Sequence, residues 1–344
     1  MNNQNLQSDL INQRKNYNGI DVIKFLCSVL VFFIHIPLFY APVDGDLTTV
    51  QKSLNFILQQ YVCRLAVPFF FVSSGFFLFK KALGEKLDVD RVKNYCFKIL
   101  RLLGMWSVLL LIGGSGHLWY LGATAVAVAF ISVCLHFKIK YRYLVVIVGL
   151  LYILGLIGDS YYGVLEPALG NTLLRYMYAA LNLVTGKSRN GLFMGSVFIL
   201  IGVYFSQGKV KMKLWTSVVG FIVSMLGMLG ELFVLEHYDI PSDYNMYIFL
   251  VPAVFFLFSI ACTVKLKDRP IYARLRTIGV LVYFLHVFVN TLIGYVAKGA
   301  YKFLSIDIQP YRCLIALVIT LLLTIGIEWL SRKERFKWIK WFLS

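Results

Sequence analysis

Apolar runs of membrane-spanning length recur along the chain, separated by short polar segments. A helix needs about 20 mostly apolar residues to cross the hydrocarbon core of a bilayer. Ten runs are candidates: residues 20–40, 58–80, 95–113, 117–137, 141–158, 191–206, 212–235, 245–264, 277–297 and 311–330. Those at 141–158 and 191–206 are short, and the third carries Arg101 near its start. The pattern predicts an all-α integral membrane protein of about ten transmembrane helices.

The polar segments divide the chain simply. Residues 1–19 read as a polar N-terminal segment, 20–330 as one transmembrane domain, and 331–344 as a basic tail. The first apolar run is long enough to span, so it is expected to serve as an uncleaved signal anchor. The longest connection, 159–190, holds Pro167, Gly170 and a moderately apolar stretch at 171–184. Long connections with their own patterning are often functional, and 171–184 is expected to form an interfacial or re-entrant helix. No internal repeat of the inverted-transporter kind stands out.

Composition sharpens the class. Of 344 residues, 59% are hydrophobic and only 15% charged, with mean hydropathy +0.73. Soluble domains carry about 45–50% apolar and about 25% charged residues, so a water-soluble monomer is excluded. The net charge of +17 would suggest nucleic acid in a soluble protein. Here the basic residues are scattered over short loops, and no nucleic-acid partner is expected.

Their placement also sets topology. With the N-terminus inside, most of the 34 Lys and Arg residues fall in alternate loops, including Arg91 and Lys93, Lys138 to Arg142, Lys209 to Lys213, Lys265 to Arg276, and Arg332 to Lys340. The opposite loops hold few bases and much of the acid, such as Asp44, Asp46, Asp159, Glu166, Glu236 and Asp307. The positive-inside rule then puts both termini in the cytoplasm. The six cysteines form no CxxC pair. They read as small buried hydrophobes, with no metal site and no disulfide framework.

Ionisable groups at membrane depth are costly and mark function by default. On the first run, Asp21 and Lys24 are three residues apart near the inner end and can pair on one face. His35 follows Lys24 by eleven residues, close to three helical turns and about 16 Å, so Lys24 and His35 share a face. Arg64 enters the second run from the outer side, at about the depth of His35. Pro68 follows it, then Ser73, Ser74 and Gly75, which permit close helix approach. His117 and Trp119 open the fourth run, and His286 sits mid-run in the ninth. Three have a structural alternative, a snorkelling Lys24, a helix-bundle His35 and an interfacial His117, whereas a kinked, tightly packed helix explains Pro68 and Gly75 but not Arg64. His136 and His237 lie in loops and carry no assignment.

Together these segments resemble the acyltransferase 3 family of polytopic membrane proteins. The likeness rests on Ile20-Asp21, Ile23-Lys24 and His35; on Arg64, Val67 to Phe71 and Ser74-Gly75-Phe76; on His117-Leu118-Trp119-Tyr120; on Arg189-Asn190-Gly191-Leu192-Phe193 with Gly202; and on Tyr283-Phe284-Leu285-His286. Within the family, Gly158 to Gly163 and Ser188 to Gly191 look most like the membrane domain of vancomycin-resistance-type serine racemases. In that branch a soluble racemase domain follows the membrane domain. The chain reads as a stand-alone relative or as such a membrane domain. One departure is Lys24, where the family has arginine. Lysine gives a point charge in place of a bidentate fork, so its donor contact is expected to be weaker or different.

The resemblance implies a bacterial plasma-membrane enzyme that moves an acyl group, most simply acetyl, from cytoplasmic acyl-CoA to a hydroxyl acceptor, an envelope saccharide, at the outer face. No permanently bound cofactor is implied; acetyl-CoA is a co-substrate. His35 is the expected general base, with Arg64 and Asp21 completing the catalytic set. Lys24, Ser73 and Ser74 would contact the donor, while His117, Trp119, Arg189, Asn190 and His286 would line the acceptor site. The alternative is transport or uptake of a serine-like small molecule by a non-catalytic member of the same fold. Either function is compatible with an oligomer in the bilayer.

Overall fold

The computed structural model describes residues 17–79, 88–110, 114, 116–163, 170, 175–176, 189–208, 210–237 and 244–343. Among them the chain is helical, with no strand. The expected helix at 171–184 lies outside the described residues apart from Arg175 and Tyr176, as do residues 1–16 of the N-terminal segment.

The first helix, α1, runs Asn18–His35. It stops short of the expected residue 40 because Pro37 follows Ile36. A residue before proline is pushed out of the helical region, and Ile36 is extended at φ −127°, ψ 103°. His35 is therefore the last residue of the helix.

The second apolar run arrives in pieces. An amphipathic helix, α2 (Thr49–Gln60), begins at a capping box in which Thr48 Oγ1 accepts from Gln51 N and Gln51 Oε1 accepts from Thr48 N. A 3₁₀ turn, Val62–Leu65, carries Arg64. Then comes α3 (Ala66–Phe79), almost wholly buried. Pro68 sits in its first turn, where the missing N–H breaks no helical bond.

The remaining helices are α4 (Val89–Leu109), α5 (Trp119–His136, after the 3₁₀ turn Gly116–Leu118), α6 (Tyr141–Ile157), α7 (Ser196–Ser206, entered through the π turn Gly191–Gly195), α8 (Leu214–His237), α9 (Leu250–Thr263), α10 (Pro270–Leu304) and α11 (Arg312–Leu330). A 3₁₀ stretch, Glu334–Phe342, follows. Every one of the ten apolar runs contains a helix. Six helical segments are long and apolar enough to cross a membrane: Asn18–His35, Thr49–Phe79, Gly116–His136, Leu214–His237, Pro270–Leu304 and Gln309–Leu330. Tyr141–Ile157, Gly191–Ser206 and Leu250–Thr263 are apolar but shorter. The tenth, α4, holds Asp90, Arg91, Lys93, Lys98 and Arg101 and is amphipathic.

The core centres on α3. Its backbone meets α7 at Gly75 and Gly202: a Cβ on Gly75 would lie 2.3 Å from Ile199 O, and one on Gly202 would lie 2.2 Å from Val72 O. Only hydrogen fits there, so the two helices touch backbone to backbone. α1 packs against α3 and α10. Its start is tied to the loop before α10 by Asn18 Nδ2 donating to Asp268 Oδ1 at 2.6 Å. Large apolar side chains face outward in quantity, among them Val146, Leu150, Leu226, Leu314 and Leu322. Such a surface belongs in lipid rather than water.

Candidate functional site: two cavities that share a tyrosine wall

Because α1 is continuous from Asp21 to His35, it delivers its polar residues to two different places. A cavity of about 150 Å³ is lined by Lys24, Ser28, Ser74, Tyr120, Arg276 and Tyr283. A second, of about 40 Å³, is lined by His35, Arg64, His117, Trp119, Arg189 and Asn245. Tyr120 and Tyr283 line both. The face of α1 that the eleven-residue spacing picks out thus contributes to both cavities, as do the two tyrosine rings.

Two imidazoles, His35 and His117, line this cavity, and His286, expected there, is fully buried against both without lining it. The ring centroids are 6.0 Å apart for His35 and His117, 5.2 Å for His35 and His286, and 5.1 Å for His117 and His286. His35 is exposed, whereas His117 is 4% and His286 0% accessible. His286 Nδ1 lies 2.9 Å from Val282 O. A carbonyl only accepts, so this contact assigns the proton to Nδ1 and leaves Nε2 as an acceptor. Nε2 of His286 and both ring nitrogens of His117 are buried with no hydrogen-bond partner among the described residues. Buried polar atoms of this kind call for a water or a substrate group. No group of three or more His, Cys, Asp or Glu with metal-holding geometry occurs among the described residues.

Arg64 and Arg189 reach the same cavity from the 3₁₀ turn and from the entry to α7. Both donate to one atom, Asn245 Oδ1, the Arg189 bond measuring 3.3 Å. Arg64 also donates to Gln60 Oε1, and the Arg189 guanidinium lies 5.4 Å from the Trp119 ring centroid. Asn245 is held from behind by Asp159, whose Oδ2 accepts from Asn245 Nδ2 at 3.0 Å and whose Oδ1 accepts from Asn245 N at 2.7 Å. Since a carboxylate only accepts, the amide must turn its NH₂ to Asp159 and its oxygen to the arginines. Glu231 anchors the same strip of chain, accepting from Ile248 N, Phe249 N and Tyr161 OH.

Several expected site residues lie elsewhere. Asp21 is buried and takes a bidentate contact from Arg276, at 2.9 Å from Nε and 2.5 Å from Nη2. The expected Asp21–Lys24 pair is replaced because the α10 guanidinium offers two parallel donors to one carboxylate. Fourteen residues along α1, about 21 Å, separate Asp21 from His35. Ser73 returns its hydroxyl to Phe69 O at 2.9 Å and lines neither cavity. Asn190 caps the π turn, its Oδ1 accepting from Leu192 N and Phe193 N. Arg276, Asn245 and Asp159 had no assigned role in the sequence. Tyr283 is three residues before His286, a spacing that places the pair on one helix face and could have flagged it.

The basic tail is not loose. Trp106 Nε1 on α4 donates to Phe342 O at 3.1 Å, Arg101 Nη2 donates to Trp341 O at 3.3 Å, and Leu343 joins the lining of the Lys24 cavity.

Residues 17–115 match the family model described as an acyltransferase domain. Those residues carry Lys24, His35 and Arg64. An amino-acid racemase of Enterococcus faecalis is 32% identical over 78% of this chain and 38% of its own length. A serine/alanine racemase of Enterococcus gallinarum is 26% identical over 94% of this chain and 47% of its own length. The chain thus spans less than half the length of the curated relatives it matches. No solved structure matches it. The chain carries the signature of the acyltransferase 3 domain in residues 17–115 and is similar, along most of its length, to one part of these amino-acid racemases.

Proposed function

We propose that this protein is a membrane acyltransferase that takes an acetyl group from cytoplasmic acyl-CoA and passes it to a hydroxyl acceptor from the opposite face. The observation that carries the reading is the pair of cavities sharing Tyr120 and Tyr283. Transfer across a bilayer needs a donor chamber and an acceptor chamber that meet at the reacting atoms. The loop charges of the sequence put the Lys24 cavity on the cytoplasmic side, where Lys24 and Arg276 suit a donor carrying phosphates.

In this scheme the acceptor hydroxyl loses its proton to a His35 ring nitrogen as its oxygen attacks the thioester carbonyl. The C–S bond breaks, and the departing thiolate is protonated by the His35 imidazolium. General-base help of this kind contributes about 10²–10⁴-fold. Arg64 and Arg189 supply donors for negative charge on the carbonyl oxygen. His286, in ring contact with both His35 and His117, orients them by packing. The acceptor is either the expected envelope saccharide or a serine-like small molecule.

The test is acetyl-CoA binding and CoA release by the protein in lipid nanodiscs, wild type beside His35→Ala. The reading expects the variant to bind donor at wild-type strength and to lose turnover by at least a hundredfold. Equal turnover in the two would remove His35 from the chemistry. A wild type without saturable donor binding would sink the acyltransferase reading. The second reading, flux of a serine-type amino acid, is favoured by the racemase names of the relatives and is measured as serine uptake into proteoliposomes.

A further inference from the structure

The end of the chain carries a surface that acyl transfer does not use. The segment Gln309–Leu330 is long and apolar enough to cross a membrane, and α11 ends with it at Leu330. The residues that follow therefore emerge at the edge of the hydrocarbon, among the headgroups. The stretch Glu334–Phe342 is a 3₁₀ helix, with three residues per turn, so side chains three apart stand in one row. Three rows result. Phe336, Ile339 and Phe342 are half-buried. Arg335, Trp338 and Trp341 are exposed, the two indoles at 61% and 51%. Glu334, Lys337 and Lys340 are exposed beside them. The rows are regular from Lys337 onward, past the non-helical Phe336 (φ −113°, ψ 19°).

Two exposed indoles three residues apart are costly against water and ordinary at a membrane interface, where the ring sits among headgroups and its N–H stays wet. The charge beside them has one sign. Arg332 is taken up by Glu328, which leaves Lys333, Arg335, Lys337 and Lys340 against the single acid Glu334. Lys337 and Glu334 meet at 2.5 Å, but they are 57% and 84% exposed, so water screens the pair and the excess charge stays. Basic residues next to a spanning helix are drawn to anionic headgroups. The stretch is also ordered in advance. Trp106 and Arg101 donate to the carbonyls of Phe342 and Trp341, and the Arg101 guanidinium lies 4.8 Å from the Trp341 ring centroid. Docking a surface already in place costs less entropy than docking a loose one.

We propose that the exposed rows of residues 333–341 are a docking surface for an anionic lipid bilayer, with Trp338 and Trp341 entering the headgroup layer and Lys333, Lys337 and Lys340 meeting its charge. Each lysine brought to such a surface raises occupancy by about fivefold. Leu343, just beyond, lines the Lys24 cavity, so a bilayer that holds the stretch also holds Leu343. The docking itself involves no donor, no acceptor and no transfer step, and it is tested without them.

The experiment reads tryptophan emission from the protein in nanodiscs whose lipid chains carry bromine near the headgroup. One set is phosphatidylcholine alone; the other contains about a third phosphatidylglycerol. Bromine quenches an indole only at short range, and subtracting the signal of a Trp338→Phe/Trp341→Phe variant isolates the two tail rings. The proposal expects quenching of that tail signal to be about twofold or more stronger in the anionic discs, and the excess to vanish at about 1 M salt. It expects a Lys333→Gln/Lys337→Gln/Lys340→Gln variant to lose the excess. A control variant, Lys52→Gln/Lys298→Gln/Lys302→Gln, removes as much charge from other exposed positions and should keep it. Equal quenching in the two lipids overturns the proposal, as does none in either. So does a tail variant that keeps the preference for anionic lipid. Loss of the preference in the control as well would assign it to net charge and reject the docking surface.

Discussion

Tyr120 and Tyr283 meet edge to face with ring centroids 5.9 Å apart, and each lines both the Lys24 cavity and the His35 cavity. Neither ring is loosely placed. Tyr120 OH lies 3.4 Å from Ser74 Oγ on α3, and Tyr283 OH donates to His117 O at 2.9 Å. The wall therefore ties α3, α5 and α10 together at the point where the two spaces come closest.

Removing the wall should uncouple the chambers. In Tyr283→Ala, water reaches a donor held in the Lys24 cavity, so acceptor-independent release of CoA rises several-fold while transfer to acceptor falls. Tyr283→Phe keeps the ring and loses one hydrogen bond, a cost of about 1 kcal/mol. Its ratio of transfer to hydrolysis should match wild type. Single-turnover assays with and without acceptor separate the two variants, and an unchanged ratio in Tyr283→Ala would contradict the wall.

The Asp21–Arg276 contact is a stability determinant of the α1–α10 seam. Arg276→Ala leaves a carboxylate that is 4% exposed in its side chain without its guanidinium. The guanidinium itself is 58% exposed, so water and salt screen part of the gain. The expected loss is about 1–3 kcal/mol, read as a lower melting temperature in nanodiscs. Asp21→Asn combined with Arg276→Ala should cost less than the sum of the single changes, because the two residues act as one pair. Additive costs would mean that the contact contributes little.

Gly202→Ala tests the backbone contact of α3 and α7. Its methyl would lie 2.2 Å from Val72 O and 2.6 Å from Phe76 N, and relieving that overlap requires the helices to part, for about 1–3 kcal/mol. Gly230→Ala on α8 is the control, since nothing lies within 4 Å of its added carbon. It should hold or raise stability by about 0.5 kcal/mol. Equal melting temperatures for the two variants would contradict the close approach.

Much of this was legible in the sequence. Every long apolar run holds a helix, because hydrophobic length in a bilayer leaves few alternatives. The eleven-residue spacing put Lys24 and His35 on one face of the first helix, since a rigid helix fixes which residues share a face, and each lines a cavity in the structure. Arg64 was legible for its cost at that depth. Less could be read where partners are distant in the chain. Arg276 lies 255 positions from Asp21 and looked like one more loop cation. Asn245 and Asp159, 86 positions apart, sit at helix borders where polar residues are ordinary. Ser73 is polar at membrane depth for a local reason, a bond to its own helix, which composition does not distinguish from a ligand contact. The break after His35 was legible too, in Pro37, had the proline been weighed above the hydrophobicity of Ile36 to Tyr40.

The position of Leu343 gives the Lys24 cavity a built-in competitor. Anything entering past α4 must contend with a segment that already rests there through Trp106 and Arg101. Its apparent affinity is the intrinsic affinity scaled by the fraction of time the segment is away. Displacing residues 341–343 would then change occupancy of that cavity while Lys24 and Arg276 stay as they are.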